Sequence, residues 1–202
     1  MSLAAITPGR YLEKVPEGSF VRVGDVPGTR AAASCALSRA AKRGDLVVLR
    51  RGLYFKGKRT RYGVARPAPL DVARSILGEE GVGPAGFTAA RVFGLTTQVP
   101  PVPELAVAGP VPAGMRGVLV HRRNNMRRRD LRYDEVALLE VLRAWDTVSE
   151  RSWGDLVAAV EGFVRSGALR LDAVARAAKS EPSPDARNRF AELKRSLAPV
   201  AA

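Results

Sequence analysis

Apolar residues follow two spacings along this chain, and the changes between them mark its elements. Ala33, Ala36, Leu37 and Ala40 fall at i, i+3, i+4 and i+7, which predicts a helix with one narrow buried stripe. Thr29 stands where an N-cap hydroxyl belongs and Gly44 where a helix stops, so the helix is bounded at both ends. Leu46–Arg50 then reads as a strand, Arg51-Gly52 as a turn, and Leu53–Phe55 as the returning strand. Ahead of them, Pro8–Val15 is a short helix, Ser19–Val21 a short strand, and Val23–Val26 a short helix or turn.

Residues 67–202 read as a second, mostly helical unit. Helices are expected over Leu70–Leu77, stopped by Gly78, and over Ala85–Phe93, entered at Pro84 and left at Gly94. Glu104–Ala108 and Gly117–Arg122 have strand-like patterns, separated by a Gly/Pro turn region over 109–117. Glu135–Trp145 places Leu138, Val141, Leu142 and Trp145 on one helical face. Ser152 with Asp155 is a capping-box pair that opens a helix carrying Leu156, Val160, Phe163 and Val164. Two further helices are expected near 172–179 and 185–197. The fold class is therefore α+β and mostly helical, with domains at 1–66 and 67–202 on either side of a stretch over 56–69 rich in Lys, Arg, Gly and Pro.

Charge changes the picture. Residues 1–66 hold 14 Lys/Arg against four Asp/Glu, so +10 of the formal net charge of +13 lies in the first third of the chain. A polyanionic partner is implied, because each cation near a phosphate releases a condensed counterion. A basic helix followed at once by a basic hairpin is the sequence form of a winged helix-turn-helix, in which the helix enters a DNA major groove and the hairpin lies along the backbone. Counted round the helical wheel, the face opposite the stripe carries Ala31, Ser34, Cys35, Ser38 and Lys42, with Arg30 and Arg39 beside it. Arg30, Ala31, Ser34, Cys35 and Ser38 are the base-edge candidates, and the Arg30 fork suits the O6 and N7 of guanine. Thr29, Arg39, Lys42, Arg50, Arg51, Lys56, Lys58, Arg59 and Arg61 are phosphate candidates, which position without specifying. A winged helix can also serve as a protein-binding module.

In the second unit, HRRNNMRRRDLR (121–132) holds six arginines and one aspartate, while the remainder carries 13 basic against 15 acidic residues. It reads either as a solvated loop between a strand and a helix or as a second anionic contact through Arg122, Arg123, Arg127, Arg128 and Arg129.

Catalytic and metal signatures are lacking. Cys35 and His121 are the only cysteine and histidine, which excludes an intrachain disulfide and a His/Cys metal cluster. His121 has no nucleophile or carboxylate partner in a recognisable motif and reads as a surface or loop residue. Cys35, on the outward face, reads as a tolerated small residue or, in the sharper alternative, a redox switch. Gly52–Arg59 nearly matches a phosphate-binding loop, but Arg59 replaces the magnesium-holding hydroxyl and Leu53-Tyr54-Phe55 is strand-like. Asp185, Glu192 and Lys194 echo a nuclease triad, yet all three fall on one predicted helix. No catalytic residue, metal or cofactor is expected, and a metal-dependent nuclease is the weaker alternative. The opening MSLAAITPG lacks a basic n-region and a long apolar core, and no apolar run approaches ~18 residues, so a cytoplasmic protein with no membrane partner is expected.

The stretch VPEGSFVRVGDVPGTRAAASCALSRAAKRGDLVVLRRGLYF resembles the N-terminal winged helix of AbiEi-type antitoxins of abortive-infection, type IV toxin–antitoxin systems. The shared pattern is a Gly-x-Phe/Val strand, a turn, a helix ending Ala-Leu-Ser-Arg-x-x-Lys-x-Gly, then Arg-Arg-Gly-Leu-Tyr. Pro67-Ala-Pro-Leu and Pro84–Pro100 resemble the second region of the same family, so the likeness spans roughly residues 10–125. Ala40 stands where the family often has a larger aliphatic residue, which implies thinner packing. The resemblance implies a bacterial antitoxin and autorepressing transcriptional regulator that binds inverted repeats in its own promoter. It also implies a C-terminal domain that counters a nucleotidyltransferase-type toxin without a stable complex. A non-catalytic protein that binds a toxin or RNA is the competing expectation.

Overall fold

A computed structural model describes residues 6–197; the first residues of the opening segment, 1–5, lie outside them. The protein is a mixed α+β structure that divides into two compact units, 1–72 and 73–202.

The first unit opens with α1 (Pro8–Lys14), whose Pro8 takes an early position where no backbone donor is needed. β1 (Ser19–Arg22) and a 3-10 turn (Val23–Asp25) lead to α2 (Arg30–Lys42). The Thr29 Oγ1 accepts from the Ala32 N–H at 3.2 Å, satisfying one of the free donors at the α2 N-terminus. At the other end the Asp45 N–H reaches back to the Ala40 carbonyl at 2.9 Å, which requires Gly44 in the left-handed region at φ 77°. β2 (Val47–Arg50) and β3 (Leu53–Lys56) follow, and the three strands form an antiparallel sheet in the order β1-β3-β2. β3 is central and its Leu53, Tyr54 and Phe55 are all buried. Val21, opposite Tyr54 in the register, joins Leu12, Val26, Ala33, Ala36, Leu37, Ala40 and Leu46 in one core. Phe20 and Phe55, the neighbouring register pair, meet as tilted rings 5.2 Å apart.

The region over 56–69 is more than a connecting stretch. β4 (Arg59–Thr60) and β5 (Gly63–Val64) pair into a second, small hairpin, and α3 (Pro69–Leu77) follows, with the division between units inside it. Periodicity misses a two-residue strand because two positions establish no alternation. Gly57 sits at the hairpin's base, where an added Cβ would lie 1.9 Å from the Ala65 carbonyl oxygen. Only a residue without a side chain allows the two strands to close there.

The second unit is built on one helix. β6 (Val82–Pro84), α4 (Gly86–Val92), β7 (Glu104–Ala108) and β8 (Leu119–Arg123) precede a 3-10 turn (Met126–Asp130) and α5 (Tyr133–Val148). α6 (Trp153–Arg165), α7 (Leu171–Ala178) and α8 (Pro184–Leu197) complete it. β7 pairs antiparallel with β6 and parallel with β8. The expected α5 face is too narrow: Val136, Ala137, Leu138, Leu139, Val141 and Leu142 are all fully buried, because β6, α4, α7 and α8 surround the helix. β6 itself is unexpected from the sequence. Its Gly83 lets the strand lie directly on α5, since a Cβ there would come within 2.4 Å of the Tyr133 carbonyl oxygen. On α6, Leu156 and Val160 are buried as their spacing predicts, whereas Val164 is exposed at the edge of the stripe. Among the described residues no helix is long and apolar enough to cross a membrane.

Replacing Leu37, which is fully buried under the sheet, by alanine is expected to destabilise the first unit by about 2–5 kcal/mol. Urea unfolding followed by circular dichroism checks this, with Ala31→Ser on the exposed face of α2 as the neutral comparison.

Candidate nucleic-acid interface

With Ala33, Ala36, Leu37 and Ala40 held in the core, the rotation of α2 about its axis is set. Arg30, Ala31, Ser34, Cys35, Ser38, Arg39 and Lys42 all emerge exposed on its outer side. The centre of that face is small and polar, with Arg30 at one end and Arg39 and Lys42 at the other. The last two lie in the final turn, where cations complement the helix dipole. Thr29 stands at the N-terminus with its oxygen engaged as the cap, which leaves its hydroxyl hydrogen free to donate outward.

Arg50 and Arg51 are exposed at the end of the β2–β3 hairpin. The Val23 N–H donates to the Gly52 carbonyl at 3.3 Å, which ties this turn to the 3-10 turn ahead of α2. Beyond the other end of α2, Asp45 accepts from Arg43 Nε at 2.9 Å and from Arg59 Nη2 at 3.2 Å, so β4 is tethered to the close of the helix. Lys58 and Arg61 are exposed on this second hairpin, and the Arg61 guanidinium lies 4.6 Å from the centre of the Tyr62 ring. A groove of about 1050 Å³ runs between α1, α2 and this hairpin, lined by Glu13 and Glu17 as well as by Cys35, Arg39 and Arg59.

Two of the expected phosphate contacts are engaged within the protein. Lys56 Nζ donates to the Leu12 and Glu13 carbonyls at 2.8 and 3.0 Å, capping the carbonyl end of α1. Arg59 keeps most of its surface exposed but shares Asp45 with Arg43. Arg43 and Tyr62, absent from the sequence candidates, join the same surface. The Thr-Arg-Tyr-Gly run is the only sequence signal for a turn that would carry Tyr62.

In the second unit the arginine-rich segment divides in two. Arg128 is fully buried: its Nε and Nη2 bond to Glu181 at 2.6 and 2.8 Å, and its Nη1 to Glu140 at 2.5 Å. Arg123 makes two bonds to Glu140 at 2.9 and 2.6 Å, and Asn125 Nδ2 donates to Glu181 and to the Ala177 carbonyl. Arg128 is closed to an external anion and Arg123 is engaged by Glu140, which corrects the five-arginine contact at those two positions and the solvated-loop reading at Arg128. A buried guanidinium must be paired, and here two carboxylates from α5 and the chain after α7 pair it. Arg122, Arg127 and Arg129 remain exposed.

His121 is also more constrained than a surface residue: it lies on β8, half-buried, with Nε2 2.7 Å from Glu104 Oε2. Asp185, Glu192 and Lys194 are exposed along α8 and converge on nothing.

No family model matches the chain, and no curated protein matches it. Its structure is similar to the crystal structure of the RV2827C protein from Mycobacterium tuberculosis, with 17% sequence identity and a TM-score of 0.48 over 93% of this chain and 74% of that one.

The buried pairs make stability depend on acid. Burial alone would raise the Glu140 carboxyl; the bonds from Arg123 and the charge of Arg128 outweigh it and hold the group below its ordinary value of 4.5. Buried Glu135 is lowered in the same way, by Arg170 and the Arg132 and Arg170 backbone N–H groups against its burial. The folded state then binds fewer protons than the unfolded chain. The resulting stabilisation is complete above about pH 4.5 and is lost as the pH falls through the lowered folded values. Glu140→Gln, which leaves Arg128 and Arg123 without that charge, is expected to cost about 3–5 kcal/mol at neutral pH and to flatten the acid dependence. Urea titrations at pH 7 and at pH 4 measure both effects.

Proposed function

We propose that this protein binds double-stranded DNA through its first unit, with α2 in the major groove and the β2–β3 turn against the backbone. One observation carries the reading: α2 turns a small, polar face to solvent, bordered by Arg30, Arg39 and Lys42, beside a turn bearing Arg50 and Arg51. Small side chains allow a helix to approach base edges closely, and cations at the margin meet the phosphates on either side. The order α1, β1, 3-10 turn, α2, β2, β3, with β3 between β1 and β2, supports the winged helix-turn-helix arrangement.

In this reading Arg30 is the principal base reader, with Ala31, Ser34, Cys35 and Ser38 as close contacts. Thr29, Arg39, Lys42, Arg50 and Arg51 position the helix. The resemblance of residues 10–125 to AbiEi-type antitoxins supports a regulatory role at inverted repeats in the protein's own promoter. It also supports a second unit that counters a nucleotidyltransferase-type toxin.

Gel-shift titration with duplex from the region upstream of the coding sequence, against a scrambled duplex, tests the DNA assignment. The double change Arg30→Ala with Ser34→Ala should reduce discrimination between the two duplexes by about tenfold or more. Arg51→Ala should weaken both about equally and lower the salt slope by about one. Full discrimination in the double variant places the reading face elsewhere. Retention of RNA or a co-expressed partner, with none of duplex, supports an interaction protein instead.

A further inference from the structure

The β4–β5 hairpin buries little: of residues 58–64 only Val64 is part-covered, and Tyr62 is 84% exposed, more than any other large hydrophobic side chain among the described residues. It is nonetheless well built. The Ala65 N–H bonds to the Lys58 carbonyl at 2.9 Å, Thr60 Oγ1 donates to the Gly63 carbonyl at 2.8 Å, and the Tyr62 N–H donates to Thr60 Oγ1 at 3.2 Å. Gly57 closes its base, and Asp45 fastens Arg59 to the end of α2. The product is a short, ordered arm with an aromatic ring at its tip and a guanidinium stacked on that ring.

Charge indicates the partner. No Asp or Glu occurs between Asp45 and Asp71, while Arg50, Arg51, Lys56, Lys58, Arg59, Arg61 and Arg66 all do. Position indicates the geometry. The Arg51-Gly52 turn is tied to the 3-10 turn ahead of α2, and the β4–β5 hairpin to the residues just after it. α2 is roughly 20 Å long at 1.5 Å per residue, longer than the major groove is wide, at about 12 Å. Cationic elements at both ends therefore suit the two backbones that flank one groove.

From this we propose that the β4–β5 hairpin is a second DNA-binding element, with the Tyr62 ring stacking into a base step of the flanking minor groove and Arg61 and Lys58 neutralising the adjoining phosphates. The proposal rests on the reading of α2 as the major-groove helix. An aromatic ring offers a stacking face to any base, and a side-chain wedge at a minor-groove step opens the stack and bends the duplex. Arg61, which already lies over the ring at the tip, carries its cation to the phosphates beside that step.

The test uses the full chain and duplex from the region upstream of its coding sequence, with affinity read by fluorescence anisotropy and base unstacking by permanganate reactivity of thymines. Wild-type protein should raise thymine reactivity in the bound duplex. Tyr62→Ala should abolish that rise and weaken binding about tenfold, whereas Tyr62→Phe should retain both. Because the ring is largely in water, thermal melting of Tyr62→Ala should match wild type. Arg51→Ala should weaken binding yet keep the permanganate signal at saturating protein. If Tyr62→Ala binds and unstacks like wild type while Arg51→Ala binds more weakly, the hairpin proposal is overturned and the DNA reading stands. If wild-type protein retains no duplex at all, both are overturned.

Discussion

The first unit depends on the burial of four side chains along one line of α2. Ala33, Ala36, Leu37 and Ala40 are the buried positions of this helix, with Ala41 partly buried against the same core, and all of them but Leu37 are alanines. Such a stripe contributes little area, so Leu37 is the side chain that sets how the helix sits on the sheet. Once it is buried, the helical period leaves no freedom in what faces outward. The exposed face of Ala31, Ser34, Cys35 and Ser38 is a consequence of that burial, and so is the placement of Arg30, Arg39 and Lys42 at its margins.

Cations in this protein are sorted by what folding does to their solvation. On α2 and the β2–β3 turn they stay in water, where a phosphate can replace the solvent. Lys56 instead serves the carbonyl end of α1, and Arg128 is taken wholly out of water between Glu140 and Glu181. The two environments have opposite chemistry. An exposed arginine exchanges partners at small cost, while a buried one without its carboxylates would be strongly destabilising. Within the arginine-rich segment over 121–132, Arg123 and Arg128 therefore act inside the second unit, joining β8, the 3-10 turn, α5 and the chain after α7 through one set of ion pairs.

The outline of the first unit was legible because its elements are bounded by strong local signals. Thr29 and Gly44 bracket α2, Arg51-Gly52 turns the hairpin, and Ser152 with Asp155 opens α6 in the same manner in the second unit. Short pieces without periodicity were not legible. β4, β5 and β6 have two or three residues each, and their existence depends on glycines that allow backbone to meet backbone at Gly57 and Gly83.

By itself, then, the order of residues determined the helices, the main hairpin, the concentration of positive charge in the first third, and the faces of α2, because periodicity and capping act between residues only a few positions apart. Tertiary structure decided which charges are free. Arg128 and Arg129 are neighbours of the same type, one sealed between two glutamates and the other exposed, and the partners that separate them lie 12 and 53 positions along the chain from Arg128. It also decided that Tyr62's arm stands beside the end of α2, since the pair that fastens it there joins Arg59 to Asp45, 14 positions earlier in the chain. Long-range pairing of this kind is invisible to any local pattern, because it depends on what the folded chain brings within hydrogen-bonding distance.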